Sequence, residues 1–353
     1  MRQVRNIQLG KRKKVISILL FCLFSLSPSA AQGITADSVA NESKPWFGKR
    51  LVNKISNNYF KVKYDTNYVQ RPRQKWLVRL LGNQSGNYIH AKGTVNDVWS
   101  KYDLHTKRKT TLGVEVNFCD IAASYSINPE KNRGNYNDYE FNFEYHGQKI
   151  SFNVNYRRST SLSGDMHLGN IDHLGEEGLR MNVTNVAAYY IFNHRRFSFP
   201  AALYQNYYQR RSAGSWLVGA SFQGGSIRTT DELKERSPHA PDVHLTFANV
   251  ALGGGYGYNF VFGKHAGWLL HLSALPSVVV YKHNRLMVNG DKKRDHGLSF
   301  NMIFNERAAL IYHFTPWFNA GASVMMSNSI FDNGNVSVNQ NEWLARAFLG
   351  FRF

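Results

Sequence analysis

Cysteine is almost absent from this chain: Cys22 and Cys119 are the two among 353 residues. Cys22 falls in an N-terminal segment that reads as removed on export, so the mature chain has no internal disulfide and is no small stapled scaffold. Long apolar runs are missing as well. The longest, Val15 to Leu26, covers twelve positions, short of the roughly 18 that a membrane-spanning helix needs. Acidic residues are scarce, 24 Asp+Glu against 43 Lys+Arg, for a formal net charge of +19. No nucleic-acid motif accompanies that charge, so lipid phosphates fit as partners better than nucleic acid does. The chain lacks a phosphate loop, because Gly253-Gly254-Gly255-Tyr256-Gly257 is followed by no Lys-Ser/Thr and no helix. It also lacks a metal-ligand set. Its 13 histidines are scattered, with His239 and His244 too loosely spaced to coordinate. The sequence therefore predicts no metal and no cofactor.

Both ends of the chain are informative. Arg2, Arg5, Lys11, Arg12, Lys13 and Lys14 precede the apolar run, and Ser27-Pro28-Ser29-Ala30-Ala31 follows it. A basic stretch, a short apolar core and small residues predict a secretory signal peptide over 1–31, cleaved after Ala31. Its removal leaves 37 Lys+Arg against 24 Asp+Glu, about +13. At the other end, Trp343, Ala345, Ala347, Leu349, Phe351 and Phe353 alternate with Arg346, Gly350 and Arg352. That is a strand with one apolar and one partly charged face, ending on an aromatic residue. A closing strand of an outer-membrane barrel has this form, and Phe353 is the expected signal to the barrel assembly machinery.

Alternation recurs between the ends. Tyr139, Phe141, Phe143 and Tyr145 alternate with Glu140, Asn142, Glu144 and His146. After a turn at Gly147-Gln148, Ile150, Phe152, Val154 and Tyr156 alternate with Ser151, Asn153, Asn155 and Arg157. This reads as a hairpin with an apolar and a polar face. Thirteen candidate strands emerge: 75–88, 110–118, 120–127, 139–146, 149–157, 180–193, 198–209, 215–226, 247–262, 267–281, 298–314, 317–330 and 342–353. A bacterial barrel needs an even number. The apolar phase slips by one at Cys119-Asp120, as a single bulged strand would also do, so merging 110–118 with 120–127 predicts twelve, with ten or fourteen open. That tracing puts 227–246, 282–297 and 331–341 outside and an unusually long 158–178 segment at the periplasmic end. Glu306 falls on the apolar side of its strand, which predicts a bulge or a membrane exit nearby. Gly253, Gly255 and Gly257 face inward, as a crowded lumen or a plug requires.

The expected fold is thus all-β, a transmembrane antiparallel barrel over 75–353 in the outer membrane. A periplasmic or interfacial segment over 32–74 precedes it. Within that segment Phe47, Leu51, Val52, Ile55 and Tyr59 stand at helical spacing with Lys49, Arg50 and Lys54 between them. A short basic amphipathic helix is expected there, packed on the periplasmic rim, with the membrane interface or the barrel lumen as alternatives.

Asp65-Thr66-Asn67-Tyr68-Val69 followed by Trp76-Leu77-Val78-Arg79 resembles the start of the exported family called domain of unknown function 4421. The resemblance extends to Tyr189-Tyr190-Ile191-Phe192-Asn193, to Phe197-Ser198-Phe199-Pro200-Ala201-Ala202, and to Gln209-Arg210-Arg211-Ser212-Ala213-Gly214-Ser215. It covers about Asp65 to Phe353 and implies an outer-membrane-type barrel with no assigned activity. Gly214 is expected to supply a special backbone conformation in the Ser-Ala-Gly-Ser turn. Arg210 and Arg211 are expected to meet lipid headgroups or lumen carboxylates.

One pair looks like chemistry. His271 and Ser273 share a strand face, and a histidine beside a serine can activate it as a nucleophile when a third group orients the ring. The pair lies opposite the apolar face, however, and no acidic partner is placed by sequence, so no catalytic residue is expected and the two read as lumen lining. Glu115, Glu140 and Glu144 with Arg79, Arg157, Arg346 and Arg352 are expected to form lumen ion pairs. The loop cations Lys282, Arg285, Lys292, Lys293 and Arg294 are expected near outer-membrane lipids. The functional expectation is a non-catalytic barrel with a structural, transport-related or lipid-interacting role. An outer-membrane lipid- or polysaccharide-modifying enzyme and a secreted soluble all-β binding protein are the alternatives.

Overall fold

Alternating side chains can satisfy two solvents at once only if the sheet has two unlike sides, and the chain solves this by closing on itself. The computed structural model describes residue 57 and residues 63–353, apart from 96–97, 107, 130–138, 161, 169–170, 175–177, 237–241, 294–299 and 333–335. The predicted signal peptide, and all but one residue of the predicted N-terminal helix, lie outside the described residues.

Twelve antiparallel strands form the barrel: β1 (Trp76–Val95), β2 (Lys109–Phe118), β3 (Ile121–Ile127), β4 (Tyr139–His146), β5 (Ile150–Ser159) and β6 (Leu179–Ile191). The second half comprises β7 (Ala213–Thr229), β8 (Val243–Phe262), β9 (Trp268–Val288), β10 (Phe300–His313), β11 (Phe318–Asp332) and β12 (Val336–Arg352). Each pairs with its neighbours, and β12 pairs with β1 from Val336↔Gly93 to Arg352↔Leu77. The terminal residue takes part, because Phe353 and Trp76 exchange both backbone hydrogen bonds at 3.1 Å. A closed ladder leaves no unpaired barrel edge.

The two faces differ as the alternation requires. Leu112, Phe143, Leu252, Val280 and Leu349 are exposed on the outer wall, whereas Arg79, Glu115, Asn142 and His271 are buried inside. Near the short turns the outer wall carries a chain of ring contacts, Phe262–Trp268–Tyr312–Phe314–Phe318–Phe351, with centroids 4.6–6.1 Å apart. An aromatic girdle of this kind marks a membrane-type barrel.

Twelve strands is the expected number, reached by a different route. Cys119-Asp120 is a true two-residue turn, with Cys119 at φ 58°, so β2 and β3 are separate strands. The stretch 198–209, expected to be a strand, leaves the wall altogether. Those two misreadings offset each other. Removing the false strand also reverses the orientation of the chain before it, and 158–178 now lies at the end of the long loops. There Leu162–Leu168 pairs with Val98–Thr106, which pairs with the far half of β1. This hairpin layer extends a wall whose β2, β3 and β4 have only 10, 7 and 8 residues. Glu306 brings no bulge with it: the register of β10 is unbroken against both neighbours. The irregularity falls instead between Val250 and Ala251.

Candidate functional site: a plugged lumen and its vestibule

The connection from β6 to β7, residues 192–212, folds into the barrel as a plug. Ser198 caps the helix α1 (Phe199–Leu203) by accepting from the Ala201 amide at 3.2 Å, and Pro200 sits in its first turn. Both are ordinary helix-start chemistry. Tyr208–Gln209 then pairs with Val69–Gln70, tying in the chain that leads to β1. Phe197, Phe199, Ala201, Ala202 and Tyr207 are completely buried. They pack on wall residues Leu81, Leu217, Leu269, Ile311 and Phe348 in two apolar clusters. The inward glycines do accommodate it: a Cβ on Gly257 would stand 3.2 Å from the Phe197 ring.

Polar side chains of the wall fasten the plug. Arg79, with no exposed surface, makes a bidentate pair with Glu115 at 2.7 and 2.5 Å. Its other nitrogen donates to the Leu203 carbonyl at 3.1 Å and to Gln205 Oε1 at 2.6 Å. Arg352 donates to the Gln205 carbonyl and to the Tyr208 hydroxyl, each at 2.8 Å. Asp120, in the β2–β3 turn, holds Arg71 at 3.2 Å and accepts from the Tyr207 hydroxyl. Burial pushes the Asp120 carboxyl up to about 6, against the opposing pull of Arg71. Burial also raises the neighbouring Cys119 thiol to about 12, which leaves it unreactive.

Several expectations about side chains are met in part. Arg79–Glu115 is an ion pair, and Arg157 pairs with Glu140 at 3.7 Å and with Glu342. Glu144 instead bonds His146 at 2.8 Å, and Arg346 donates to Asn83 at 2.9 Å. Arg210 meets Gln70 and the His265 carbonyl, and Arg211 lies over the Tyr68 ring. Both therefore contact residues of the plug and its surroundings and not the lumen carboxylates. Gly214 has no special backbone conformation. It is a strand residue whose missing Cβ makes room for Tyr256 and Tyr258.

The structure brings His271 and Ser273 together and adds a partner that sequence reasoning missed. His271 Nε2 lies 3.0 Å from Ser273 Oγ, and His271 Nδ1 lies 2.7 Å from Asn259 Oδ1. Asn259 is placed by the β8–β9 register, Asn259↔His271, which only strand pairing reveals. Its Nδ2 donates to the Ser198 carbonyl and to Gln209 Oε1, at 2.9 and 3.0 Å. The trio thus continues into the plug. Phe197 and Phe199 pack on the imidazole, and Ser273 is 8% exposed. Proton relay is geometrically provided for, but the serine is buried. Among the described residues no group of three His, Cys, Asp or Glu side chains is placed to hold a metal ion.

Beyond the plug the lumen opens into a vestibule continuous with solvent. Tyr189, Leu203 and Tyr204 line its inner end, together with Arg307, which donates to the Tyr189 hydroxyl at 3.0 Å. Its walls carry Arg157, Arg307 and Arg346 against Glu140, Glu144 and Glu342, with asparagine and serine between them.

The chain shares its barrel form with solved structures of low identity. The outer membrane protease OmpT from Escherichia coli aligns at 6% identity, covering 84% of this chain and 100% of its own, with a TM-score of 0.37. The COG4313 outer membrane channel from Pseudomonas putida F1 aligns at 11% identity over 82% of this chain and 99% of its own, with a TM-score of 0.36. The β domain of the Bordetella autotransporter BrkA aligns at 9% identity over 77% and 99%, with a TM-score of 0.31. Scores this low carry no argument about activity. No curated protein matches the sequence. Residues 63–353 match the family described as Domain of unknown function (DUF4421), and the chain belongs to that family.

Proposed function

We propose that this protein resides in the outer membrane as a closed barrel without catalytic activity, whose vestibule receives a solute and whose built-in plug blocks passage at rest. The observation that carries this reading is the fastening of residues 197–209 to the wall through Arg79, Arg352 and Asn259. The exposed apolar wall and its aromatic girdle support insertion in a bilayer. The export signal read from residues 1–31 supports the outer membrane, with the short turns on the periplasmic side. The closing strand ending in Phe353 is proposed to engage the assembly machinery. The cations at the loop end are proposed to meet lipid phosphates, where charge-assisted contacts favour them.

Planar-bilayer recording tests the plug. The wild-type chain is expected to show no sustained conductance. Arg79→Met, which leaves Gln205 and the Leu203 carbonyl without their donor, is expected to give frequent openings. A steadily open wild-type pore contradicts the reading. One observation favours a second reading, a hydrolase: the Asn259–His271–Ser273 geometry. Labelling by a fluorophosphonate ester in the wild type but not in Ser273→Ala selects it, whereas no labelling of either supports the non-catalytic role.

A further inference from the structure

Strand register places amides in a continuous row across the lumen wall. Asn142 on β4 faces Asn155 on β5, which faces Asn185 on β6; Asn185 faces Gln223 on β7, and Gln223 faces Asn249 on β8. Five neighbouring strands thus present one carboxamide each at the strand spacing of roughly 4.8 Å. The first four line the vestibule. Repetition over five strands is not what filling a polar lumen demands, since serine or charge pairs satisfy the wall equally well.

The row is only partly occupied by internal bonds. Asn142 donates to Ser124 and Glu140, and Asn155 donates to Glu140 and Asn142. The carbonyl oxygens of Asn155 and Asn249 are buried and make no hydrogen bond among the described residues. A buried acceptor left unpaired costs about 1–3 kcal/mol; Asn155 lines the vestibule, and turning its side chain towards a donor there costs its oxygen no internal bond.

We propose that this row is a binding track for a neutral oligosaccharide, a deepening of the vestibule role above and resting on it. A carboxamide is both donor and acceptor, as is a sugar hydroxyl, so each rung can meet a hydroxyl in either sense. The neighbouring charges balance in number, Arg157, Arg307 and Arg346 against Glu140, Glu144 and Glu342, which leaves little net field to select an ion. A peptide is the less suitable occupant. Extended peptides bind by adding a strand to an open sheet edge, and this barrel wall is closed by β12 on β1.

The test uses the full mature chain, folded in detergent and shown to be heat-modifiable. Calorimetric titration takes neutral hexasaccharides of glucose, mannose, galactose and N-acetylglucosamine, the matching disaccharides, a glycine–serine hexapeptide and inorganic phosphate. At least one hexasaccharide is expected to bind, at least tenfold tighter than its disaccharide. Asn185→Leu/Gln223→Leu is expected to weaken it tenfold or more, while Asn185→Gln/Gln223→Asn retains binding within about threefold. The proposal is overturned if no hexasaccharide binds, if the leucine variant binds equally well, or if peptide or phosphate binds in preference. Should the leucine variant lose heat-modifiability, single Asn185→Leu and Gln223→Leu chains, each expected to weaken binding at least threefold, decide in its place. A conducting wild-type barrel contradicts the plugged reading separately, so the two failures are distinguishable.

Discussion

Glu306 puts a carboxylate where the alternation of the wall calls for an apolar side chain. It lies on the outer face of β10 between Ala274 and Met326, with Phe304 and Ala308 above and below it on the same strand. In a bilayer this carboxylate loses hydration with no ion-pair partner among the described residues, so Glu306→Leu is expected to stabilise the inserted barrel by about 1–2 kcal/mol. Urea titration of vesicle-inserted protein measures this, and a destabilised variant would mean that Glu306 has a partner in the membrane. Asp120 gives a pH effect at the turn end. Its folded-state value, about 6, lies above the ordinary 3.8, so the folded protein binds this proton more tightly than the unfolded chain does. Above pH 6 the buried charge costs stability. As pH falls from about 6 towards 3.8 that cost is progressively removed. Asp120→Asn is expected to raise the unfolding midpoint at pH 7.5 and to flatten its rise between pH 6.5 and 4.5; an unchanged pH profile refutes the assignment.

At the scale of the element, each strand is a sorting device for two solvents. Phe141 and Phe152 face out and Asn142 and Asn153 face in, on strands paired without irregularity. Arginine at Phe141 or Phe152 is expected to destabilise the inserted protein by roughly 2–4 kcal/mol near the bilayer midplane. Arginine at Asn153, on the vestibule wall, is expected to be much milder, because water reaches it. Equal losses in urea titrations would contradict the placement of the two faces. The plug shows the limit of reading an element from pattern. Residues 198–209 carry apolar groups at strand-like intervals, but Ser198 and Pro200 open a helix, and that capping signal was the better guide.

For the whole molecule, closure depends on the last strand. Phe353 and Trp76 complete the β12–β1 ladder, and every barrel strand then has two neighbours. Deleting Phe351-Arg352-Phe353 also removes Arg352, which holds Gln205 and Tyr208 of the plug. Export is expected to continue while the truncated chain is degraded before insertion, read as loss of the heat-modifiable band from the membrane fraction. Normal levels of heat-modifiable protein would show that closure does not need this segment.

The sequence by itself determined the class of fold, because a period-two alternation of aromatic and polar residues is a local property of each strand and needs no partner to be read. It also carried the closing strand, the separation of faces and the need for something pressed against Gly257. The tertiary structure decided what depends on register and on chain reversal. Which strands are neighbours, and hence the meeting of Asn259 with His271 and the row from Asn142 to Asn249, follows from pairing between residues far apart in the chain. The slip at Cys119-Asp120 has the same sequence signature in a bulge as in a turn, and only pairing separates them. The plug was hidden for a related reason: its apolar residues answer to the inner surface of the barrel, a surface that exists only once the wall has closed.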